Sequence, residues 1–239
     1  NNISKFMGIF NGTSNFILSK MTHEQTTFKD ALEEAQRLGF AEADPTDDVE
    51  GVDAARKVVI TSYLSFNQVI KLNDVKSVGI SDITLADINA ASALNYKIKS
   101  IGKGTYENGY VNASVEPTLI HKNHQLAAVE NEYNAIYVIG DAVGDTMFYG
   151  KGAGSLATGS AVVSDLLNVA LFFESNLHTL PPHFELKTEE TKEMMDGAEP
   201  VVIQEKSNYY IVISNNNKSL EKVEYDIKKK LPFHKSLQL

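Results

Sequence analysis

The sequence GFAEADPTDDVEGVDAARK, residues 39–57, is the stretch on which both the fold and the chemistry depend. Six carboxylates fall within twelve residues, and two cations follow; the acids are Glu42, Asp44, Asp47, Asp48, Glu50 and Asp53, and the cations are Arg56 and Lys57. Charged residues make up 22% of the whole chain. The acids are therefore unusually dense here, which predicts a place where negative charge has a role.

A helix start accounts for part of this acidic run. Asp44 is placed to cap a helix, Pro45 suits the first helical position, and Asp47 completes a spacing like that of a capping box. Carboxylates also favour the positive end of the helix dipole. The far end of the run is different, because Asp53 and Lys57 stand four residues apart on an apolar helical pattern and therefore share one face.

Composition excludes several classes of protein. A chain of 239 residues that is 43% apolar can bury the core of one large domain or two modest ones. A net charge of -9 argues against nucleic acids and anionic membrane surfaces as partners, and no apolar run approaches the roughly 20 residues of a membrane span. The absence of cysteine excludes disulfides, zinc-thiolate sites and thiol nucleophiles, and fits a cytoplasmic protein.

Strand and helix patterns alternate along the chain. The predicted strands are 5–11, 97–105, 110–117 and 135–139; the predicted helices are 16–21, 27–38, 84–96 with Asp82 as cap, 124–129, and one that runs from the acidic stretch to residue 64. The helix that ends at residue 64 stays apolar to its end, which predicts that it is buried. The alternation favours an α+β fold, α/β-like in its order, with a mixed β-sheet covered by helices on one face.

Two glycine-containing segments are candidate ligand sites. One is the turn at 11–15, reading NGTSN, between a strand and a helix; the other is 150–154, reading GKGAG, before an apolar helix at 157–172. Glycine lets the backbone approach a phosphate or ribose, and a helix start supplies N–H donors. Neither segment has the G-x-G-x-x-G dinucleotide pattern. An ordinary strand–helix corner uses the same residues as the first segment and is the favoured explanation there, and close packing of a helix on a sheet explains the second equally well.

The residue composition of the chain changes after residue 176, where prolines and charged residues replace the apolar pattern. We therefore predict a domain at 1–176, a linker at 177–200 that contains two adjacent prolines, and a small unit at 201–239. That unit shows a strand at 209–214 and an amphipathic helix at 220–231. It is too short to bury a core alone.

Few chemical groups remain as candidates for catalysis. His121 and His124 are close but have no acids beside them, which favours a polar loop over a metal site. Lys57, with Asp53 beside it and Glu42 nearby, can donate a hydrogen bond or a proton to a carbonyl oxygen. The structural alternative is an ion pair worth a few tenths of a kcal/mol.

Three blocks of sequence resemble the catalytic region of homoserine dehydrogenase. They are GIFNGTSNFIL at 8–18, the run from ALEEAQ through GVDAARK at 31–57, and the run from GKGAG to AVVSD at 150–165. The resemblance covers residues 1 to about 175. The segment from about residue 201 resembles the opening strand and helix of an ACT-type regulatory domain, so a partial ACT-like βα unit follows the sheet.

Members of this family interconvert L-aspartate 4-semialdehyde and L-homoserine with NADP or NAD, on the route to threonine, methionine and isoleucine. The resemblance implies that Lys57 donates a proton to the aldehyde oxygen. The implied site residues are Lys57 and Asp53 for catalysis, Glu42, Asp48, Gly12 and Thr13 for the substrate, and Gly154 and Gly152 for the cofactor. It also implies a homodimer.

The sequence departs from the family pattern in several ways. Residues 1–239 contain neither the nucleotide-binding half with its G-x-G-x-x-G loop, nor an upstream active-site lysine, nor the loop that supplies a monovalent-cation site. Phe40 replaces a tyrosine and Ala157 a proline. We therefore expect the substrate-side half of an enzyme, inactive alone. The alternative is a non-catalytic module for dimerisation and amino-acid sensing.

Overall fold

The structure, a computed structural model, describes residues 2–174, 201–205 and 208–213. The strands are β1 (Ile3–Ile9), β2 (Lys76–Ser77), β3 (Tyr96–Glu107), β4 (Tyr110–His121), β5 (Tyr133–Gly140), β6 (Gly144–Lys151), β7 (Val201–Glu205) and β8 (Asn208–Ile213). The helices are α1 (Gly12–Glu24), α2 (Phe28–Arg37), α3 (Thr46–Val49), α4 (Val52–Phe66), α5 (Leu85–Ala93) and α6 (Ser155–Glu174). Two short 3-10 helices lie at Leu72–Asp74 and Gln125–Ala128.

The strands form one mixed sheet in the order β6-β5-β1-β3-β4-β8-β7, with β2 also beside β4. β1 pairs antiparallel with β3 and β5, whereas β2 and β8 run parallel to β4. The predicted α+β class with a mixed sheet is confirmed. The predicted strand at 209–214 corresponds to β8, while the predicted linker and the helix at 220–231 lie outside the described residues.

Alternation along the strands divides the core between the two faces of the sheet. Phe6 and Val115 pack under α4, and Ile98 packs with α1, α2 and α5. Met7 and Ile101 point to the opposite face, where the 3-10 helix at Gln125–Ala128 packs. The helices that carry the candidate site residues thus lie on one face.

The helix predicted from the acidic stretch to residue 64 is two helices. Gly51 interrupts it with a φ of 78°, and a Cβ at this position would lie 2.9 Å from the Ser77 hydroxyl. α3 therefore carries Asp47 and Asp48, and α4 carries Asp53 and Lys57. The expected burial to the end of α4 is wrong, because Ile60 is 58% and Leu64 76% exposed.

One further expectation was wrong, and one strand was not predicted. Thr84, and not Asp82, caps α5, because its side chain accepts from the backbone N–H of Asp87 in a capping box. The strand that was not predicted is β6, which ends inside the second glycine-containing segment and pairs with β5 along its whole length. The glycines at its ends obscure the alternation that would have indicated a strand.

Candidate active site

The corner between β1 and α1 is closed by the side chain of Asn11, the N-cap of α1. Its Oδ1 accepts a hydrogen bond from the backbone N–H of Ser14 at 2.8 Å and another from the Ser14 hydroxyl at 2.8 Å. The next position needs a glycine, because a Cβ on Gly12 would lie 2.7 Å from the carbonyl oxygen of Glu132. The start of α1 is therefore held close to the start of β5.

Side chains from α3 and α4 meet at this corner. The Nδ2 of Asn11 donates to Asp48 Oδ1 at 2.7 Å and to Asp53 Oδ2 at 2.9 Å. The same oxygen of Asp53 accepts from Lys57 Nζ at 2.6 Å, and Lys57 Nζ also donates to the carbonyl oxygen of Phe10 at 3.1 Å. Three of the predicted site residues, Asp48, Asp53 and Lys57, thus form one cluster around Asn11.

The cluster is accessible at its cationic end. Asn11 is 7% exposed, whereas the side chains of Asp53 and Lys57 are 29% and 45% exposed. A lysine ammonium has three N–H donors. Within the described part of the chain two of them have acceptors, which leaves the third for a ligand.

Glu42 lies on a loop that is fixed to the start of α1. The Thr13 hydroxyl donates to the carbonyl oxygen of Phe40 at 2.6 Å, and Gln36 Nε2 donates to the carbonyl oxygen of Glu42 at 2.9 Å. The residue Glu42 is exposed. The loop therefore presents this carboxylate to solvent from a backbone that is held on both sides.

The remaining acids of the stretch have structural partners. Asp44 accepts from the backbone and the hydroxyl of Thr46, and these hydrogen bonds lower the pKa of Asp44. Asp47 forms an ion pair with Arg56 and no capping box, and Glu50 accepts from a serine hydroxyl in the loop before α5. α3 begins one residue after the predicted proline position. Asp44, Asp47 and Glu50 thus have structural roles. Glu42, Asp48 and Asp53 remain candidates for contact with a ligand.

The glycine segment before α6 is linked to this cluster through Asn134. Asn134 Nδ2 donates at 3.2 Å to the carbonyl oxygen of Phe10, which also accepts from Lys57. A Cβ at Gly152 would lie 2.4 Å from that nitrogen of Asn134. Gly154, directly before α6, has a φ of 108° and nothing within 4 Å of its Cβ position. An open backbone at the start of a long helix fits a phosphate or a ribose.

A buried ionic cluster lies behind the start of α1. Lys99 of β3 is 1% exposed, and its Nζ donates to Val129 O at 2.6 Å, Asn15 Oδ1 at 3.1 Å and Glu130 Oε2 at 3.2 Å. The amide of Asn15 in turn donates to three carbonyl oxygens, those of Val129, Asn131 and Tyr133. These contacts fix α1 to the segment that leads into β5.

Burial and opposite charges together shift the pKa values within this cluster. Burial lowers the pKa of Lys99 to about 8, although the charge of Glu130 opposes the shift. Burial alone would raise the pKa of Glu130, but the charge of Lys99 and the hydrogen bond from Lys97 outweigh it and lower that pKa to about 2. The two lysines therefore keep the partly buried side chain of Glu130 ionised.

The sequence model described as "Homoserine dehydrogenase" matches residues 1–167, and one described as "Homoserine dehydrogenase C-terminal domain" matches residues 206–239. The chain belongs to the homoserine dehydrogenase family. The predicted family is confirmed. That the last segment has an ACT fold stays a prediction.

Two curated relatives, both named homoserine dehydrogenase, illustrate the similarity. The protein from Bacillus subtilis (strain 168) is 54% identical over 167 residues, which are 70% of this chain and 39% of the relative. The protein from Helicobacter pylori is 38% identical over 233 residues, which are 93% of this chain and 54% of the relative. The chain thus spans about half the length of the curated homoserine dehydrogenases it matches.

Solved structures of homoserine dehydrogenases are also similar to this chain. The crystal structure of the S. aureus enzyme at pH 7.5 is 74% identical, has a TM-score of 0.73 and covers 100% of this chain, which corresponds to 56% of that chain. A hyperthermophilic archaeal homoserine dehydrogenase mutant in complex with NADPH is 28% identical, with a TM-score of 0.59, over 71% of this chain and 48% of that chain.

The predicted histidine loop is a folded element of this homoserine dehydrogenase family member. His124 is 4% exposed, its Nδ1 accepts from the backbone N–H of Leu126 at 3.1 Å, and its ring lies 5.0 Å from that of Tyr137. The described residues contain no group of three or more side chains suited to a metal ion. In the same part of the chain, no helix has the length and apolar character needed to cross a membrane.

Sequence reasoning missed several residues that build the site. In the sequence Asn11 is one of several small polar residues in a turn, although asparagine is among the preferred N-cap residues. Asn134 and the pair Lys99 and Glu130 carried no local signal, because their partners come from distant segments.

The ionic cluster predicts acid sensitivity. The lowered pKa of Glu130 stabilises the fold above its ordinary value of 4.5, and this contribution is lost as the pH falls from about 4.5 towards about 2. Glu130→Gln removes the titration, so between about pH 5 and pH 3 it should lose about 1 kcal/mol less unfolding free energy than the parent, after allowance for solvent screening. Urea unfolding at several pH values measures this difference.

The matched control for this measurement is Glu33→Gln, at an exposed carboxylate paired with Lys29 across one helical turn. It should follow the pH dependence of the parent. Equal acid sensitivity in all three proteins would contradict the role given to Glu130.

Proposed function

We propose that this chain is the substrate-binding and catalytic part of a homoserine dehydrogenase, which interconverts L-aspartate 4-semialdehyde and L-homoserine with NADP or NAD. The observation that carries the proposal is the position of Lys57. Its ammonium is held by Asp53 and the Phe10 carbonyl, is exposed and has a donor to spare. The same Phe10 carbonyl accepts from Asn134, which packs against Gly152.

In this proposal Lys57 acts on the oxygen of the reacting carbon. The nicotinamide cofactor supplies the hydride when bound. Arrival of hydride at the aldehyde carbon leaves negative charge on the oxygen, and an adjacent ammonium stabilises that charge and gives up a proton. In the reverse direction the neutral amine accepts the proton of the homoserine hydroxyl. Asp53 holds Lys57 in place through both directions.

The acids of α3 and the preceding loop are assigned to the amino group of the substrate. One oxygen of Asp48 accepts from Asn11, and the carboxylate has further acceptor capacity for an ammonium. Glu42 is exposed on the loop that Thr13 ties to α1. Gly12 permits the close packing that forms this wall of the pocket. Within the described residues neither Asp48 nor Glu42 forms an ion pair, which favours a positively charged substrate group beside them.

Gly154 and Gly152 are assigned to the cofactor side. Gly154 offers open backbone at the start of α6, where N–H donors favour a phosphate. Gly152 has a packing role as well, since it leaves room for Asn134. The ligands of the family's monovalent cation are expected in another part of the full-length protein.

The proposal extends to organisation and assembly. We assign 1–176 to catalysis and dimerisation, 177–200 to a linker, and 201–239 to a partial ACT-like unit, in a cytoplasmic homodimer. The separate family match at 206–239 supports a distinct last unit. Exposed Phe148 and Tyr149 on β6, which lies at one end of the described sheet, support a partner at that edge.

Turnover tests the proposal. The full-length protein that contains this chain should oxidise NADPH when L-aspartate 4-semialdehyde is added, measured by absorbance, and the isolated chain of residues 1–239 should show no turnover. Circular dichroism of the isolated chain serves as the folding control. Robust NADPH-dependent turnover by the isolated chain would contradict the division of the active site, and inactivity of the full-length protein would contradict the function.

A further inference from the structure

Asn11 makes more contacts in the site cluster than capping a helix requires. As N-cap of α1 it needs only its Oδ1, which accepts from the backbone N–H of Ser14. Its Nδ2 donates both of its hydrogen bonds to carboxylates, one to Asp48 and one to Asp53. The assignment of the amide is fixed by these partners, because a backbone N–H needs an acceptor and two carboxylates need a donor.

The two carboxylates that share this nitrogen are forced close together. Each accepts from the same Nδ2, so their oxygens lie no more than about 6 Å apart. Like charges at that distance repel, and Lys57 is bonded to Asp53 and not to Asp48. A neutral amide satisfies both without adding a cation that would compete with a substrate ammonium.

We propose that Asn11 is a positioning residue for the reaction, which sets the separation of Asp48 from the Asp53–Lys57 pair and so fixes the distance between the amino-group site and the proton donor. This inference rests on the proposed function. It concerns a residue that is 7% exposed and acts through the two carboxylates, not one that acts on the reacting carbon.

Two substitutions separate capping from positioning. Serine and aspartate both cap helices as well as asparagine does. Asn11→Ser keeps the cap but is too short to reach both carboxylates. Asn11→Asp also keeps the cap, and replaces the donor with a third carboxylate beside Asp48 and Asp53, whose charges raise the pKa of the new carboxyl.

Kinetics in the full-length protein test the inference. Asn11→Ser should lower kcat/KM for L-aspartate 4-semialdehyde at least about 10-fold, and Asn11→Asp about 100-fold at pH 8, in line with the cost of misplacing a reacting group. The ratio of Asn11→Asp to parent should rise as the pH falls towards about 6, because the protonated carboxyl regains one donor. A purely structural role predicts no such pH dependence.

Thr27→Ala is the matched control, because Thr27 caps α2 and touches none of the site residues of the cluster. It should lower the melting temperature with little change in kcat/KM. A kcat/KM for Asn11→Ser within about 3-fold of the parent, or a comparable loss in Thr27→Ala, would overturn the inference.

A crystal structure of Asn11→Ser gives a readout that does not depend on turnover. The Asp48 carboxylate should move away from Asp53. Unchanged positions of both carboxylates would overturn the positioning role even if the parent protein were active. Inactivity of the parent protein would instead count against the proposed function.

Discussion

Lys57→Ala in the full-length protein is expected to lower kcat for L-aspartate 4-semialdehyde about 1,000-fold, within the range for loss of a general acid that also stabilises an alkoxide. The side chain is 45% exposed and its ion pair with Asp53 spans one helical turn, so the change in stability should be small. Affinity for NADPH should stay nearly unchanged, because the cofactor contacts proposed here come from the glycine segment. Stopped-flow turnover and NADPH fluorescence titration measure both quantities.

Arg56→Ala is the matched control for Lys57→Ala. Arg56 is the adjacent residue of α4, carries the same charge, and pairs with Asp47 instead of Asp53. Its kcat should remain close to that of the parent. A kcat for Lys57→Ala within about 10-fold of the parent would remove this residue from the role of proton donor.

Lys99→Ala should be strongly destabilising. It leaves Glu130 without one of its buried partners and removes the donor that Val129 O and Asn15 Oδ1 share. Breaking one side of a buried ion pair costs about 3–5 kcal/mol of unfolding free energy. Equilibrium urea unfolding followed by circular dichroism measures the loss.

Two further variants give this measurement its meaning. Lys29→Ala removes a lysine that is 82% exposed and pairs with Glu33, and should change the unfolding free energy by less than about 1 kcal/mol. The double variant Lys99→Met with Glu130→Gln should lose less than Lys99→Ala alone, since Met fills the space of the lysine stem and no carboxylate is left opposite the missing ammonium. A loss below about 1 kcal/mol for Lys99→Ala would show that the cluster does not hold the corner together.

The local patterns of the sequence were enough for most of the fold. Apolar periodicity gave α1, α2 and α5, and the paired strands β3 and β4 followed from the turn at Asn108 and Gly109. The break at Gly51 was missed because the close approach of Ser77, which only a glycine allows, comes from a distant segment. Strand β6 was missed because glycines near its ends interrupt a short and weak alternation.

For the site, the charged residues could be predicted from the sequence, but the residue that connects them could not. Lys57 and Asp53 follow from helical spacing, and Asp48 from the family resemblance. The amide of Asn11 that joins them depends on α1, α3 and α4 meeting at one corner. No spacing rule within a single helix contains that information.

A crystal structure of the full-length protein with L-homoserine bound tests the central claim most directly. The hydroxyl oxygen of homoserine should lie within about 3 Å of Lys57 Nζ, with the amino group against Asp48 or Glu42. Homoserine bound elsewhere, or bound here with its hydroxyl turned away from Lys57, would contradict the account.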